Sequence, residues 1–337
     1  MVVYWVQLIS MLFIILISAQ LFSNALEYLG HKLEISEGVT GSIFAAIATA
    51  LPETLVPVLA IVAGGQNQHV NEEISVGAIL GAPLMLSTLS MFCMSIFILD
   101  KRPLTGYLRP EKVGYQRDVD FFILAYALSM FAMFLGAHEF YPRIFISCLL
   151  VGVYVVYLYQ TLKASSSLVQ AGHGVKPLDP LYATRLGFRN STNVVVLQLI
   201  VGLGLLIVGA KGFINGIEHL SVILQLSPLV LSFIIVPLAT ELPEKVNSVL
   251  WVRKNKDTLG VGNITGALIF QSALLPPLGI MLTPWQLTTD VIPGVIITAI
   301  AALWLRFISF KNGIPILAIF INGALYFTYL YWIFTAR

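Results

Sequence analysis

Two six-residue stretches decide how this chain folds: Ala48-Thr49-Ala50-Leu51-Pro52-Glu53 and Ala239-Thr240-Glu241-Leu242-Pro243-Glu244. Each sets a proline and a carboxylate inside a long apolar run. They lie 191 residues apart, and sliding the chain by that offset aligns Ala19–Glu53 with Ala210–Glu244 without a gap. Fourteen of the 35 positions are identical, among them Phe22/Phe213, Asn24/Asn215, Glu27/Glu218, Ser36/Ser227 and Thr49/Thr240. Shared apolar composition produces matches at Leu, Ile and Val, but not aligned Asn, Glu, Thr and Pro. A second stretch, Val76-Gly77-Ala78-Ile79-Leu80-Gly81-Ala82, matches Val261-Gly262-Asn263-Ile264-Thr265-Gly266-Ala267 at an offset of 185. The chain is an internal duplication, and the duplicated unit governs the fold.

The unit is built for lipid. Of 337 residues, 58% are hydrophobic and 11% charged, against about 25% charged in a soluble domain. Crossing the hydrocarbon takes about 20 apolar residues per helix. Ten segments are expected to do so, at roughly 3–27, 39–63, 75–98, 119–137, 143–162, 194–217, 228–251, 258–281, 286–305 and 313–335. The first has no basic stretch ahead of it and outruns the apolar core of a signal peptide, so it is expected to be retained. Fifteen of the 19 Lys and Arg residues fall on one side of this arrangement: Lys32; Lys101, Arg102, Arg109, Lys112 and Arg117; Lys163, Lys176, Arg185 and Arg189; Arg253, Lys254 and Lys256; Arg306 and Lys311. Arg143 and Arg337 fall on the other side, while Lys211 and Lys245 lie within spans. Loop bias of this kind marks the cytoplasmic face, so both termini are expected outside.

Five spans per half is an odd number, and the second half then enters the membrane from the opposite side, as in many secondary transporters. The expected fold is an all-α polytopic membrane protein with ten transmembrane helices in two inverted-topology five-helix repeats. Residues 1–163 form the first repeat, 164–193 a cytoplasmic linker, and 194–337 the second repeat.

A carboxylate at membrane depth costs several kcal/mol in insertion measurements and marks a partner or a wet cavity. Each motif proline removes the hydrogen bond to the residue four earlier, which frees the carbonyls of Ala48 and Ala239. Carboxylate, carbonyl and hydroxyl oxygens together suit hard cations. Inversion brings two such motifs face to face near the midplane. Glu241 has no acidic twin, since its counterpart is Ala50. Lys245, four residues on, offers it an i,i+4 ion pair, and the rival reading makes Glu241 a third carboxylate of the site. Gly77/Gly81 and Gly262/Gly266 are spaced for close helix packing. Asn263 and Gln271 read equally as site residues or as helix–helix hydrogen bonds.

Other chemistries find no support. His31, His69, His138, His173 and His219 form no metal-ligand spacing, and Cys93 and Cys148 form no Cys-x-x-Cys pair. No phosphate-binding loop appears, so no nucleotide is expected. A net charge of +2 without a broad basic face argues against nucleic acid. No nucleophile–base pair appears, so an enzyme is not expected, nor any cofactor beyond the transported ions.

On these residues the chain resembles the cation/Ca2+ antiporter superfamily, which includes the sodium/calcium exchangers. That family carries Gly-Thr-Ser-Leu-Pro-Glu in one span of each half and Gly-Asn-x-x-Gly-Ser-Asn in the next. The resemblance implies Glu53, Glu244, Thr49 and Thr240 as cation ligands, with Gln271 at a later Asn/Asp position. It also implies that the first and sixth spans slide to switch access. The motif serines are here Ala50 and Glu241, the Gly-Ser serines are Ala82 and Ala267, and the later Asn/Asp positions are Leu86 and Gln271. The Ca2+-type carboxylate pair survives, whereas several oxygens that serve Na+ do not. The expectation is a secondary active antiporter exchanging Ca2+ for H+ or Na+ by alternating access, in a prokaryotic cell membrane, with inorganic cations and the bilayer as its partners. The alternative is a cation channel, or an uncoupled cation-binding protein, on the same scaffold.

Overall fold

The computed structural model describes residues 2–32, 45–63, 67–169, 180–185, 187–189, 191–309 and 313–335. Within its helices, the side chains at 27, 30–32, 45–52, 63, 164–169 and 242–244 lie outside that description. The elements are α1 (Val2–Lys32), α2 (Ala45–Ala63), α3 (Gln68–Met85), a π-helical turn (Leu86–Ser90), α4 (Met91–Ile96), β1 (Tyr107–Leu108), α5 (Lys112–Phe131), α6 (Phe140–Val169), α7 (Tyr182–Arg185), α8 (Thr192–Leu224), α9 (Pro228–Arg253), α10 (Asp257–Ala273), α11 (Pro276–Leu282), α12 (Ile292–Phe307), β2 (Ile314–Pro315) and α13 (Ile316–Thr335).

Among the described residues, six helical stretches are long and apolar enough to cross a membrane: Val2–Leu26, Gln68–Ile96, Phe140–Lys163, Thr192–Leu224, Asp257–Leu282 and Ile316–Thr335. Three further expected spans coincide with shorter apolar runs, Glu53–Val62, Pro228–Glu241 and Ile292–Phe307. The span expected at 119–137 falls on α5, whose first turns carry Lys112, Arg117, Asp118 and Asp120. The count of long spans is made over the described residues, and the runs at Glu53–Val62 and Pro228–Glu241 end where that description ends. Two boundaries also move. The helix expected from 75 begins at Gln68, beside a hydrogen bond from Val70 N–H to Asn67 Oδ1 (3.4 Å), and α6 runs on through the Ser-rich stretch assigned to the linker.

The chain divides into two compact units, and neither coincides with a sequence repeat: one comprises Met1–Asn71 with Lys163–Ser227, the other Glu72–Leu162 with Pro228–Arg337. A sequence repeat records descent and a compact unit records contact, so the two partitions need not agree.

In the first unit α1 packs along α8. Gly202, Gly209 and Gly216, seven residues apart on α8, face Phe22, Ile15 and Leu8, seven apart on α1. Residue numbers fall along one helix as they rise along the other, so the two are antiparallel. Small residues let the backbones approach closely; the counterparts of Gly209 and Gly216 in α1 are the fully buried Ser18 and Ala25. Two polar clamps flank this seam. Gln7 Nε2 donates to Asn215 Oδ1 (3.0 Å) and to the Gly212 carbonyl (3.0 Å). Gln198 Nε2 donates to Asn24 Oδ1 (3.1 Å) and to the Leu21 carbonyl (2.9 Å). Adding 191 to 7, 21 and 24 gives 198, 212 and 215: the same hydrogen bonds are made twice, with donor and acceptor helices exchanged. Asn24 Oδ1 also accepts from Tyr182 N–H (3.0 Å), which ties α7 to this unit. Val2, Val3, Val6, Ile9, Phe13 and Ile17 are exposed along α1, an apolar surface far larger than a soluble chain leaves uncovered.

In the second unit α3 is buried over most of its length. Gly77 and Gly81 lie so close to the backbone of Leu229 and Phe233 in α9 that no side chain fits. The expectation of equivalent packing at Gly262 and Gly266 does not hold: among the described residues nothing crowds either, and Gly260 instead closes on Ser248 and Val252. Sequence spacing gives the register of small residues, but the angle of the neighbouring helix selects which of them is crowded. Arg143, expected as an outer-loop cation, is buried; its guanidinium donates to the carbonyls of Ile280, Thr283 and Pro284 and caps the end of α11. A C-terminal cap has unsatisfied carbonyls to fill and recruits a cation. Trp285, in left-handed backbone (φ 46), donates Nε1–H to the Ser129 carbonyl (3.0 Å) in the same region.

Candidate cation site

Helix α9 runs unbroken through Pro237 and Pro243. Each proline removes one rung of the backbone ladder, at the carbonyls of Phe233 and Ala239. Thr240 Oγ1 donates to the Val236 carbonyl (3.1 Å), the back-bonding open to a hydroxyl in mid-helix. Ala239 and Thr240 are buried. One residue on, Glu241 is fully buried, and Lys245 on the following turn is 4% exposed. Glu241 Oε2 lies 3.8 Å from Lys245 Nζ, the i,i+4 pairing that the spacing allows. Its other oxygen, Oε1, accepts from Gln271 Nε2 (2.7 Å), a fully buried amide on α10. A charge-assisted bond of this length is among the stronger side-chain interactions.

The same two helices are joined again where Asn263 Nδ2 donates to Ser248 Oγ (2.9 Å). Two polar contacts about two turns apart thus fix the register of α10 on α9. Farther along α10, Thr265 Oγ1 donates to Oδ2 of the buried Asp118 on α5 (2.6 Å). Sequence reasoning missed this carboxylate; its signal was the change from Leu80 to Thr265, one of two differences between the matched Gly-rich stretches. It also missed that Gln271 reaches Glu241, since the two are 30 residues apart and no pattern in the chain links them.

The motif of the first half lies on α2, which carries Ala48, Thr49 and Glu53 and belongs to the first unit. Glu53 is buried, 6% exposed, in a helix of otherwise apolar character. The side chains of Ala48, Thr49 and Glu244 lie outside the described residues. Among the described residues, then, the structure brings together Glu241, Lys245 and Gln271, with Thr240 and Ala239 on the turn before them. At Leu86, the first-half counterpart of Gln271, the π-helical turn begins. Its Ser87 carbonyl accepts from Asn322 Nδ2 (2.8 Å), fully buried on α13. The two halves have therefore diverged at equivalent positions: one carries a polar side chain, the other a local widening of the helix, of a kind common at functional sites.

Comparison with known proteins agrees with this architecture. The family described as sodium/calcium exchanger protein matches residues 3–163 and 194–335. A protein of Alkalimonas amylolytica named as an antiporter, CaxA, is 25% identical over 294 residues, covering 84% of this chain and 79% of its own. An uncharacterized membrane protein of Methanocaldococcus jannaschii is 24% identical over 250 residues, covering 72% and 70%. Among solved structures, an H+/Ca2+ exchanger, CAX, superposes with a TM-score of 0.72 at 16% identity, over 97% of this chain and 82% of its own. The sodium-calcium exchanger NCX_Mj superposes with a TM-score of 0.57 at 20% identity, over 100% and 98%. The last two establish a shared fold. The family match spans nearly the whole chain on either side of residues 164–193, and the chain is an integral membrane protein of the sodium/calcium exchanger family.

Proposed function

We propose that this chain is a secondary active antiporter that exchanges Ca2+ for H+ or Na+ by alternating access. Family membership supports it, as do the relatives named as an antiporter and as Ca2+ exchangers. The observation that carries the reading is the doubled clamp of Gln7–Asn215 and Gln198–Asn24 across antiparallel helices. Two segments related by sequence and packed antiparallel are what an inverted repeat consists of, and inverted repeats underlie transporters that switch access about a central site. The duplicated Pro-Glu motifs belong to the same repeat.

On this reading ten spans cross the membrane with both termini outside, and the site lies between the two Pro-Glu helices. Glu53 and Glu244 supply the anionic charge, Thr49 and Thr240 supply hydroxyls, and the carbonyls of Ala48 and Ala239 complete an oxygen shell suited to a hard divalent ion. Gln271 and Glu241 border that shell. Competition works through charge: a divalent ion satisfies two carboxylates at once, whereas protons or Na+ must neutralise them one by one. An ion pays its desolvation cost only against such charges.

The test is 45Ca2+ uptake into proteoliposomes under separately imposed Na+ and H+ gradients. Uptake driven by at least one of them is expected. Glu53→Gln and Glu244→Gln should each abolish it while the protein still purifies as a folded species. Uptake indifferent to both gradients would indicate a channel, and normal transport by both variants would refute the reading.

A further inference from the structure

Three polar side chains of the second half have apolar or uncharged counterparts in the first: Glu241 against Ala50, Lys245 against Thr54, and Gln271 against Leu86. In the structure these three meet. Lys245 Nζ stands 3.8 Å from Glu241 Oε2, and Gln271 Nε2 donates to Glu241 Oε1 at 2.7 Å. All three are buried, Lys245 at 4% exposure and the others at 0%. A carboxylate acquired on the turn that holds Thr240 and Glu244 adds a negative charge to a site that already has two, more than one Ca2+ offsets. The ammonium acquired four residues later cancels that charge without any dissolved ion. Gln271 has no formal charge, so its amide orients the new carboxylate and leaves the balance unchanged.

We infer that Lys245 is a tethered counter-cation. It permanently fills one monovalent-ion position of the site, beside Glu241, and leaves two exchangeable negative charges. The inference rests on the antiport reading for its consequence: one Ca2+ exchanges against two monovalent charges, and Ca2+ binding requires no monovalent co-ion. A dissolved cation at that position would have to give up its hydration for a single partly satisfied carboxylate. The lysine is held there covalently, and its apolar stem packs within the protein.

The experiment compares wild type, Lys245→Met and Glu241→Gln/Lys245→Met as purified full-length chains. The first measurement is the melting temperature in methylammonium chloride against N-methylglucamine chloride, at equal ionic strength and without Ca2+. Methylammonium carries the lysine head group on a stem too short to tether. A cation that binds only the folded protein raises its melting temperature. Lys245→Met should gain a rise a few degrees larger than that of wild type and the double variant, in which only the two exchangeable carboxylates remain to attract a monovalent cation. Equal responses from all three would overturn the inference. If Lys245→Met does not fold, its recovery as folded protein when purified in methylammonium chloride decides: recovery is expected, and failure to recover where the double variant folds would overturn the inference. Absence of Ca2+ uptake by wild type would refute the antiport reading instead, and the melting comparison would still judge the tethered cation.

Discussion

Replacing Arg102 by Met removes a clasp whose cost can be worked from its contacts. The guanidinium reaches Asp257 through both oxygens (2.6 and 2.7 Å), Asn255 Oδ1 (2.9 Å) and the Tyr107 carbonyl (3.1 Å). It thereby joins the loop after α4, where β1 pairs antiparallel with β2, to the first residue of α10. The pair is largely removed from water, with 17% and 6% exposure on the two sides. Breaking a buried ion pair from one side costs about 3–5 kcal/mol, because the remaining charge stays buried. Asp257 keeps two consolations, the Arg109 N–H (2.7 Å) and the N-terminal dipole of α10, the latter worth about 0.3–1 kcal/mol. The expected loss is therefore about 2–4 kcal/mol, or roughly 4–8 °C in melting temperature at about 2 °C per kcal/mol for a chain of this size. Melting followed by intrinsic fluorescence in detergent measures this, at one fixed scan rate, since irreversible unfolding makes a melting temperature depend on scan rate. Arg102→Lys should fall between, since an ammonium cannot engage both oxygens in the same plane. Arg102→Met/Asp257→Leu should melt above the single variant, because it removes the stranded charge. A single variant that melts with wild type, or a double variant that melts below it, would refute this account of the clasp.

Glu241→Gln strands the Lys245 ammonium and should lower the melting temperature by an amount corresponding to about 3–5 kcal/mol, with Lys245→Met in the same chain restoring part of it; normal folding with altered ion selectivity would instead make Glu241 a ligand. Gln7→Leu and Gln198→Leu each leave a matched pair of acceptors unfilled, at about 1–3 kcal/mol, and Gln198→Leu should lose the more because its Oε1 also accepts from Ala183 N–H (2.8 Å); a smaller loss for Gln198→Leu would contradict this account of the clamps. In a background with Cys93 and Cys148 replaced, Thr105→Cys should react with an impermeant maleimide only from the cytoplasmic side and His69→Cys only from outside, and reversal at either position would overturn the proposed topology.

Much of the site was legible because membrane burial is costly. Lipid punishes every stray charge, so Glu53, Glu241, Glu244 and Lys245 stood out from one sequence alone, and the repeat gave each a counterpart to be compared with. The i,i+4 offset between Glu241 and Lys245 is a property of the helix itself, and the structure shows the two side chains within ion-pair distance. Gln271 was visible as a polar residue in a span, but its partner was not. The 30 residues between it and Glu241 include a turn, and which face of α10 meets α9 depends on how the helices cross. The capping role of Arg143 was hidden for a related reason: the carbonyls it caps come from a segment about 140 residues later.

The sequence by itself determined the class of protein, the duplication, the residues that carry charge into the membrane and the family resemblance. These follow from local quantities, namely composition, periodicity and offset, which do not depend on how the chain is assembled. Tertiary structure alone decided that α1 and α8 run antiparallel with the same clamp made twice, that Gly260 rather than Gly262 or Gly266 is the crowded glycine, and that Gln271 completes the shell of Glu241. It also decided that the compact units cut across the repeats. Each of these depends on which side chains of distant segments face one another, and that is set by packing the whole chain at once, because helix offset and rotation are shared by all the contacts along a seam.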